Sequence, residues 1–280
     1  MRTHQAVGFE RLKAEELTMK KIFLALTAIA ALTGSASAAD MGRPYSKAPV
    51  AMAPAYNWTG FYLFGGFGGG IWDANNGVQS TATGVCIICT NTKLGGDGWY
   101  GTVGAGYDWQ ASPSWVFGVF ADGQFGGLKG SIQDLGFGIT GSEKMNSAWA
   151  VGARLGYLVA PNVLSYVNAG YTGTYWSGST LLIGATGNPS GLHTNSFNTG
   201  GAFVGGGVEN NLNIFGISAP GWFMKTEYRL SYLGNRNVSE LFDGTNLSNG
   251  RDINFKPLVN TISTALVYRF NWGGPVVAKY

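Results

Sequence analysis

Trp99-Tyr100-Gly101-Thr102-Val103-Gly104-Ala105-Gly106-Tyr107-Asp108-Trp109-Gln110 is the stretch that decides the fold. Taken alternately, Trp99, Gly101, Val103, Ala105, Tyr107 and Trp109 form an apolar set with aromatics at both ends. Tyr100, Thr102, Gly104, Gly106, Asp108 and Gln110 form a set that is mostly small or polar. A period of two is the signature of a strand. An apolar face that ends in aromatics on both sides fits a strand whose outer side meets lipid, with Trp and Tyr at the two interfaces.

The plan recurs along the chain. In residues 148–159, Trp149, Val151, Ala153, Leu155, Tyr157 and Val159 alternate with Ala150, Gly152, Arg154, Gly156 and Leu158. In residues 222–232, Trp222, Met224, Thr226, Tyr228, Leu230 and Tyr232 oppose Phe223, Lys225, Glu227, Arg229 and Ser231. In residues 261–270, Ile262, Thr264, Leu266, Tyr268 and Phe270 oppose Thr261, Ser263, Ala265, Val267 and Arg269. Four weaker segments, 58–71, 115–126, 164–176 and 199–210, bring the set to eight, with Asp122, Gln124 and Glu209 on the inner side. The joins alternate as well. Three are short, about 4, 4 and 11 residues, and the first two hold Pro113 and Pro161-Asn162. The other four run to about 20–30 residues and carry Asn76-Gly77, Gly187 to Pro189 and Asn249-Gly250, all turn formers. Short turns on one side and long loops on the other are the rule for outer-membrane barrels, and an even strand count returns both termini to the periplasm.

Composition agrees. Only 12 % of the 280 residues are charged, while 45 are Gly and 14 % are aromatic. A typical soluble domain carries about 25 % charge. No mature segment reaches the ~18 consecutive apolar residues of a membrane helix. The alternative is a soluble sandwich or lipocalin-like barrel, which places apolar residues inside. That would expose Arg154, Glu209, Glu227, Arg229 and Arg269 and send the Trp- and Tyr-rich face inward, overfilling an eight-stranded bore.

The N-terminus reads as an address. Met19-Lys20-Lys21, the apolar run Ile22 to Leu32 and the small-residue stretch ending Ala36-Ser37-Ala38 have the plan of a helical signal peptide, with cleavage between Ala38 and Ala39. Residues 1–18 are then a start assigned too early or an extended n-region, 19–38 the signal, 39–55 a Pro/Ala-rich periplasmic tail, 56–270 the barrel and 271–280 a C-terminal tail. No periplasmic domain is expected after the last strand. Without residues 1–38, 13 Lys/Arg stand against 12 Asp/Glu, with no basic cluster of the kind nucleic acid requires.

Cys86 and Cys89, in the first long loop, are the only cysteines. A zinc site needs more ligands than these and His193 supply, and a redox site needs a βαβ context. Export through an oxidising compartment predicts a short-loop disulfide. His193 reads as a solvated loop residue, so no catalytic site, metal or cofactor is expected.

Tyr56-Asn57-Trp58-Thr59-Gly60-Phe61-Tyr62 follows the Pro/Ala-rich tail directly. Together with Ala153-Arg154-Leu155-Gly156-Tyr157, Gly207-Val208-Glu209, Lys225-Thr226-Glu227-Tyr228, Val267-Tyr268-Arg269-Phe270 and the end Gly273 to Tyr280, it resembles the small outer-membrane proteins of alphaproteobacteria. These are often called immunogenic or porin-family proteins and share the opacity-protein and OmpA-type barrel. Phe120 departs from the pattern, standing where an acidic inner residue is expected, which predicts a smaller polar network on that side.

The expected fold is all-β: an eight-stranded antiparallel up-and-down transmembrane barrel. Its bore is just wide enough for its own side chains. Asp108, Asp122, Arg154, Glu209, Lys225, Glu227, Arg229 and Arg269 are expected to pair within it, since an unpaired buried charge costs several kcal/mol. Trp99, Tyr107, Trp109, Trp149, Tyr157, Trp222, Tyr228, Tyr268 and Phe270 are the expected aromatic girdles. The function this implies is non-enzymatic: a structural barrel of the outer membrane with a closed lumen and displayed loops. The alternatives are a narrow diffusion channel and ligand or host binding through loops containing Ile87, Ile88, Leu181, Leu182 and Ile183. Expected partners are membrane lipid, lipopolysaccharide and the barrel assembly machinery, which would read either Leu266 to Phe270 or the extreme C-terminus. The chain itself would be a monomer or weak oligomer.

Overall fold

The computed structural model describes residues 56–214 and 217–270. The signal region with its Ala38/Ala39 boundary, the 39–55 tail and residues 271–280 lie outside them. In chain order the strands are β1 (Gly60–Ser80), β2 (Cys86–Gln110), β3 (Trp115–Asp134), β4 (Ile139–Ala160), β5 (Val163–Ser177), β6 (Thr180–Ile183), β7 (Pro189–Thr194), β8 (Phe197–Ile214), β9 (Ile217–Leu233), β10 (Arg236–Phe242) and β11 (Ser248–Arg269). Eight long strands pair antiparallel in the order β1-β2-β3-β4-β5-β8-β9-β11, and β11 pairs back onto β1 from Tyr62↔Arg269 to Ser80↔Arg251. The ring is closed, which leaves it no open edge.

The long strands reach well beyond the expected segments. The β1–β2 tip is only residues 81–85 and the β3–β4 tip 135–138. Asn76-Gly77 does not turn: Asn76 is buried inside β1 and its side-chain amide donates to the Gln133 carbonyl. The 11-residue join also shrinks, because β8 and β9 stay paired out to Ile214↔Ile217. The two remaining long joins contain the short strands. β6 pairs with β4, β7 with β6 and with β10, and β10 with β11. A second closed ring of eight strands, β1-β2-β3-β4-β6-β7-β10-β11, therefore stands on the first.

The change of chemistry along one strand shows why the upper parts read as loops. In the lower part of β1, Phe61, Leu63, Phe67 and Ile71 are exposed. Higher up, Trp72, Ala74 and Val78 are buried while Asp73, Asn75 and Gln79 take the outer positions. The parity holds and the polarity inverts. Leu181 accordingly faces the interior, fully buried, which corrects its reading as an exposed loop residue; Ile87 and Ile183 are exposed.

The interior is filled in layers. The lowest contains Trp58, Tyr62, Phe64, Tyr166, Phe203 and Phe223 among the charged groups. Above it lie Trp72, Tyr100, Leu128, Trp176, Phe197 and Phe255, and above these Ile132, Ile139, Leu181, Leu192 and Ile253. With Phe120, a dozen aromatic residues thus fit inside, so overfilling does not by itself decide which face is inner. The position of the charges does.

Candidate functional site

The lower interior is crossed by charge. β2, β4, β8 and β11 bring Asp108, Arg154, Glu209 and Arg269 to one level. Arg154 donates from Nε to Asp108 Oδ1 at 2.9 Å, from Nη2 to Asp108 Oδ2, and from Nη1 to Glu209 Oε2 at 3.1 Å. Arg269 returns from the far wall, Nε to Glu209 Oε1 at 2.6 Å and Nη1 to Asp108 Oδ2 at 2.8 Å. The two carboxylates have no exposed surface. The Tyr62 ring centroid lies 4.4 Å from the Arg154 guanidinium carbon and 4.9 Å from that of Arg269, so the cations also meet a π face.

A second set stands above. Arg229 reaches Asp122 with both terminal nitrogens, at 3.1 and 2.7 Å, and Glu227 Oε1 at 2.8 Å. Tyr166 donates its hydroxyl to Glu227 Oε2 at 2.9 Å, and Lys225 Nζ lies 3.8 Å from the same carboxylate oxygen and 3.4 Å from the Phe64 ring centroid. Phe120 contributes a ring 5.7 Å from the Arg229 carbon where an acid was expected. Four cations and four anions are matched, as low-dielectric burial demands. Small residues make the room: a Cβ at Gly118 would collide with the Asp108 carboxylate, and one at Gly106 with the Tyr62 ring. What remains open between Phe64, Asp122, Lys225, Glu227 and Arg229 is about 10 Å³. That is room for about one water.

The upper interior holds polar groups of another kind, which the alternating pattern did not reveal. Arg251 grips Asp134 through Nε at 2.6 Å and Nη2 at 2.8 Å. Glu240 accepts from Asn249 Nδ2 at 2.6 Å, and its other oxygen is buried without a partner. Burial, with the neighbouring Asp134 adding to it, pushes the Glu240 carboxyl up to about 7. Glu143 is buried with neither oxygen in a well-formed hydrogen bond. Burial pushes it up to about 8 against a weak opposing pull from the Lys144 amide.

The outer surface of the lower ring is apolar and bounded by aromatics. At the short-turn end, Phe61 meets Tyr107 with centroids 4.7 Å apart, Tyr107 meets Trp109 at 4.6 Å and Trp115 meets Tyr157 at 5.1 Å. Tyr268 contacts Trp222 at 5.1 Å and Phe270 at 4.8 Å. At the other boundary stand Trp149 against Tyr171 at 6.0 Å, Tyr228, and Trp99, which is 76 % exposed. Cys86 and Cys89 are bonded to each other at the β1–β2 tip, Cα atoms 5.5 Å apart. His193 is not a free loop residue: it lies in β7, and Nδ1 is 2.8 Å from Asp243 Oδ1.

Residues 24–270 match the family model for the outer membrane protein beta-barrel domain. The 31 kDa outer-membrane immunogenic protein of Brucella melitensis is 30 % identical over 90 % of this chain and all of its own length. The 25 kDa outer-membrane immunogenic protein of Brucella abortus is 28 % identical over 84 % of this chain and 93 % of its own. Among solved structures, the outer membrane protein OprG of Pseudomonas aeruginosa superposes with a TM-score of 0.50 at 11 % identity, covering 77 % of this chain and 99 % of its own, a likeness of fold alone. The chain belongs to the outer membrane protein β-barrel domain family, among the small outer-membrane barrels of alphaproteobacteria, and its place is the outer membrane.

Proposed function

We propose that the protein is a non-enzymatic, eight-stranded transmembrane barrel, closed by its own side chains, that carries its upper ring outside the cell. The observation that carries this reading is the matched set of Asp108, Arg154, Glu209 and Arg269 across the bore. Charges tied to each other in this way leave no solvated path and hold opposite walls together. The short turns then face the periplasm, where a signal-cleaved N-terminus would also lie. Liposome swelling with small sugars and amino acids tests the closed state. Rates equal to those of protein-free vesicles are expected, and size-dependent swelling would establish the channel reading instead.

A second reading, surface binding, has one feature in its favour. The tips of the upper ring expose Val85, Leu135, Phe137, Phe242 and Leu247. Their replacement by Ser should leave assembly intact and lower adhesion of cells to host surfaces if the tips bind a partner.

A further inference from the structure

We propose that the outer wall formed by β11, β1, β2, β3 and β4 is a binding site for a phosphorylated glycolipid of the outer leaflet, one acyl chain lying in a surface groove and the phosphates on a lysine rim. The groove, about 450 Å³, runs over Gly69 and Gly70 between Trp99 on one side and Ile262 and Tyr228 on the other. It exists because Gly69 stands in register between Trp99 and Ile262 and leaves the space beside them unfilled. It lies at the level of the upper aromatic boundary, so its apolar part is continuous with the wall that faces lipid.

The rim is the second, independent observation. Of the five lysines among the described residues, Lys225 is inside the bore. The other four all occupy outer positions on this one wall. Lys256 and Lys93 flank Asn75 in a single cross-strand row, four residues above Ile71 at the groove. Lys129 and Lys144 stand opposite each other and level with Asp97 at the groove edge. Lys256 Nζ lies 4.9 Å from the Tyr232 ring centroid, above the girdle. Two carboxylates share the surface: Asp97 faces Lys129 in register, and Asp73 lies between the two rows. The excess is positive, at the height where lipid headgroups begin. A second copy of the chain is a poor occupant, because a two-fold contact through this wall would set the lysines against themselves. A soluble protein could not enter a groove at membrane depth.

The inference rests on the orientation given above. An epitope inserted at Gly244, a tip position with open space around it, and read on intact cells tests that orientation separately. The site itself is tested with the purified full-length chain in detergent by native mass spectrometry, titrating bis-phosphorylated lipid A, dephosphorylated lipid A and phosphatidylglycerol. Each variant is first checked for the unheated gel shift of a folded barrel. Wild type should retain the phosphorylated glycolipid most tightly. The triple variant Lys93→Ala, Lys129→Ala, Lys256→Ala should lose on the order of a hundred-fold in affinity for it, at roughly five-fold per lysine near an anionic headgroup, and bind the dephosphorylated form unchanged. Gly69→Leu, whose Cβ meets the Trp99 ring at 3.5 Å without a clash, fills the groove and should weaken both forms. Equal retention of phosphatidylglycerol, or unchanged binding in both folded variants, overturns the proposal.

Discussion

The two stacked rings use the same strands and are filled by opposite rules. In the lower ring the outer face is apolar and the bore carries Asp108, Arg154, Glu209, Arg269, Asp122, Arg229, Glu227 and Lys225 in matched pairs. In the upper ring the outer face is polar and the interior packs Trp72, Trp176, Phe255, Ile132 and Leu181 like the core of a soluble protein. The boundary in β1 falls between Ile71, exposed, and Trp72, buried. Solvent sets the rule. Lipid outside leaves the hydrophobic effect nothing to gain by filling the bore with apolar groups. Water outside restores that gain. The lower interior can therefore be polar only if every charge is paired, whereas the upper interior holds a carboxyl either gripped by a cation, as Asp134 is by Arg251, or kept neutral by burial, as Glu143 is.

Breaking the lower ring should have the largest effect. Arg154→Ala leaves Asp108 and Glu209 facing one another with Arg269 alone between them, and should cost about 3–5 kcal/mol. Urea titration of the folded barrel in vesicles, followed by the unheated gel shift, reads this loss. Replacing Arg154, Asp108, Glu209 and Arg269 together by Met and Leu sharpens the point. That quadruple variant should recover most of the stability, because apolar residues of similar size leave no orphaned charge.

Trp72→Ala should cost about 3 kcal/mol through the cavity left beside Trp176 and Phe255. The loss should be local. Limited proteolysis would cut the upper ring and leave the membrane half protected, whereas Arg154→Ala should expose both.

Glu143 separates the two interiors by pH. Its carboxyl is raised from the ordinary range to about 8, so the folded state holds a proton the unfolded state releases. The stability this neutral form contributes is complete below about pH 4.5 and is lost progressively as pH rises to about 8. The upper ring should weaken by roughly 2 kcal/mol between pH 6 and 8. Glu143→Gln should remove the larger part of that dependence and leave the smaller part that Glu240 contributes up to about pH 7, as read by protease resistance of the tips across pH. A slope unchanged in the Gln variant would exclude Glu143 as a source. The smallest effect belongs to Cys86→Ser with Cys89→Ser, about 2 kcal/mol or less at the β1–β2 tip, since the closed loop is short. The gel shift should not change.

The sequence made the lower ring readable because lipid on one side and a narrow bore on the other impose strict alternation. Trp99 to Gln110 shows it residue by residue. The upper ring hid for the same reason: once β1 passes Ile71 the apolar set moves to the inner parity, and Asp73, Asn75 and Gln79 look like loop residues. β6, β7 and β10 have four to seven residues each, too few for a period to declare itself. The inner acids and cations followed from parity alone, while their partners did not, because strand spacing does not say which side chains meet across a bore. Glu143, buried among residues that read as a loop, gave no signal at all.

Planar-bilayer recording tests the closed interior most directly, using wild type and the double variant Trp72→Ala, Trp176→Ala. Both should be silent, the second because the charged layer seals the bore even when the aromatic layer above is thinned. Reproducible unitary steps in wild type, altered by substitution of Arg154 or Glu227, would contradict a barrel closed by its own charges.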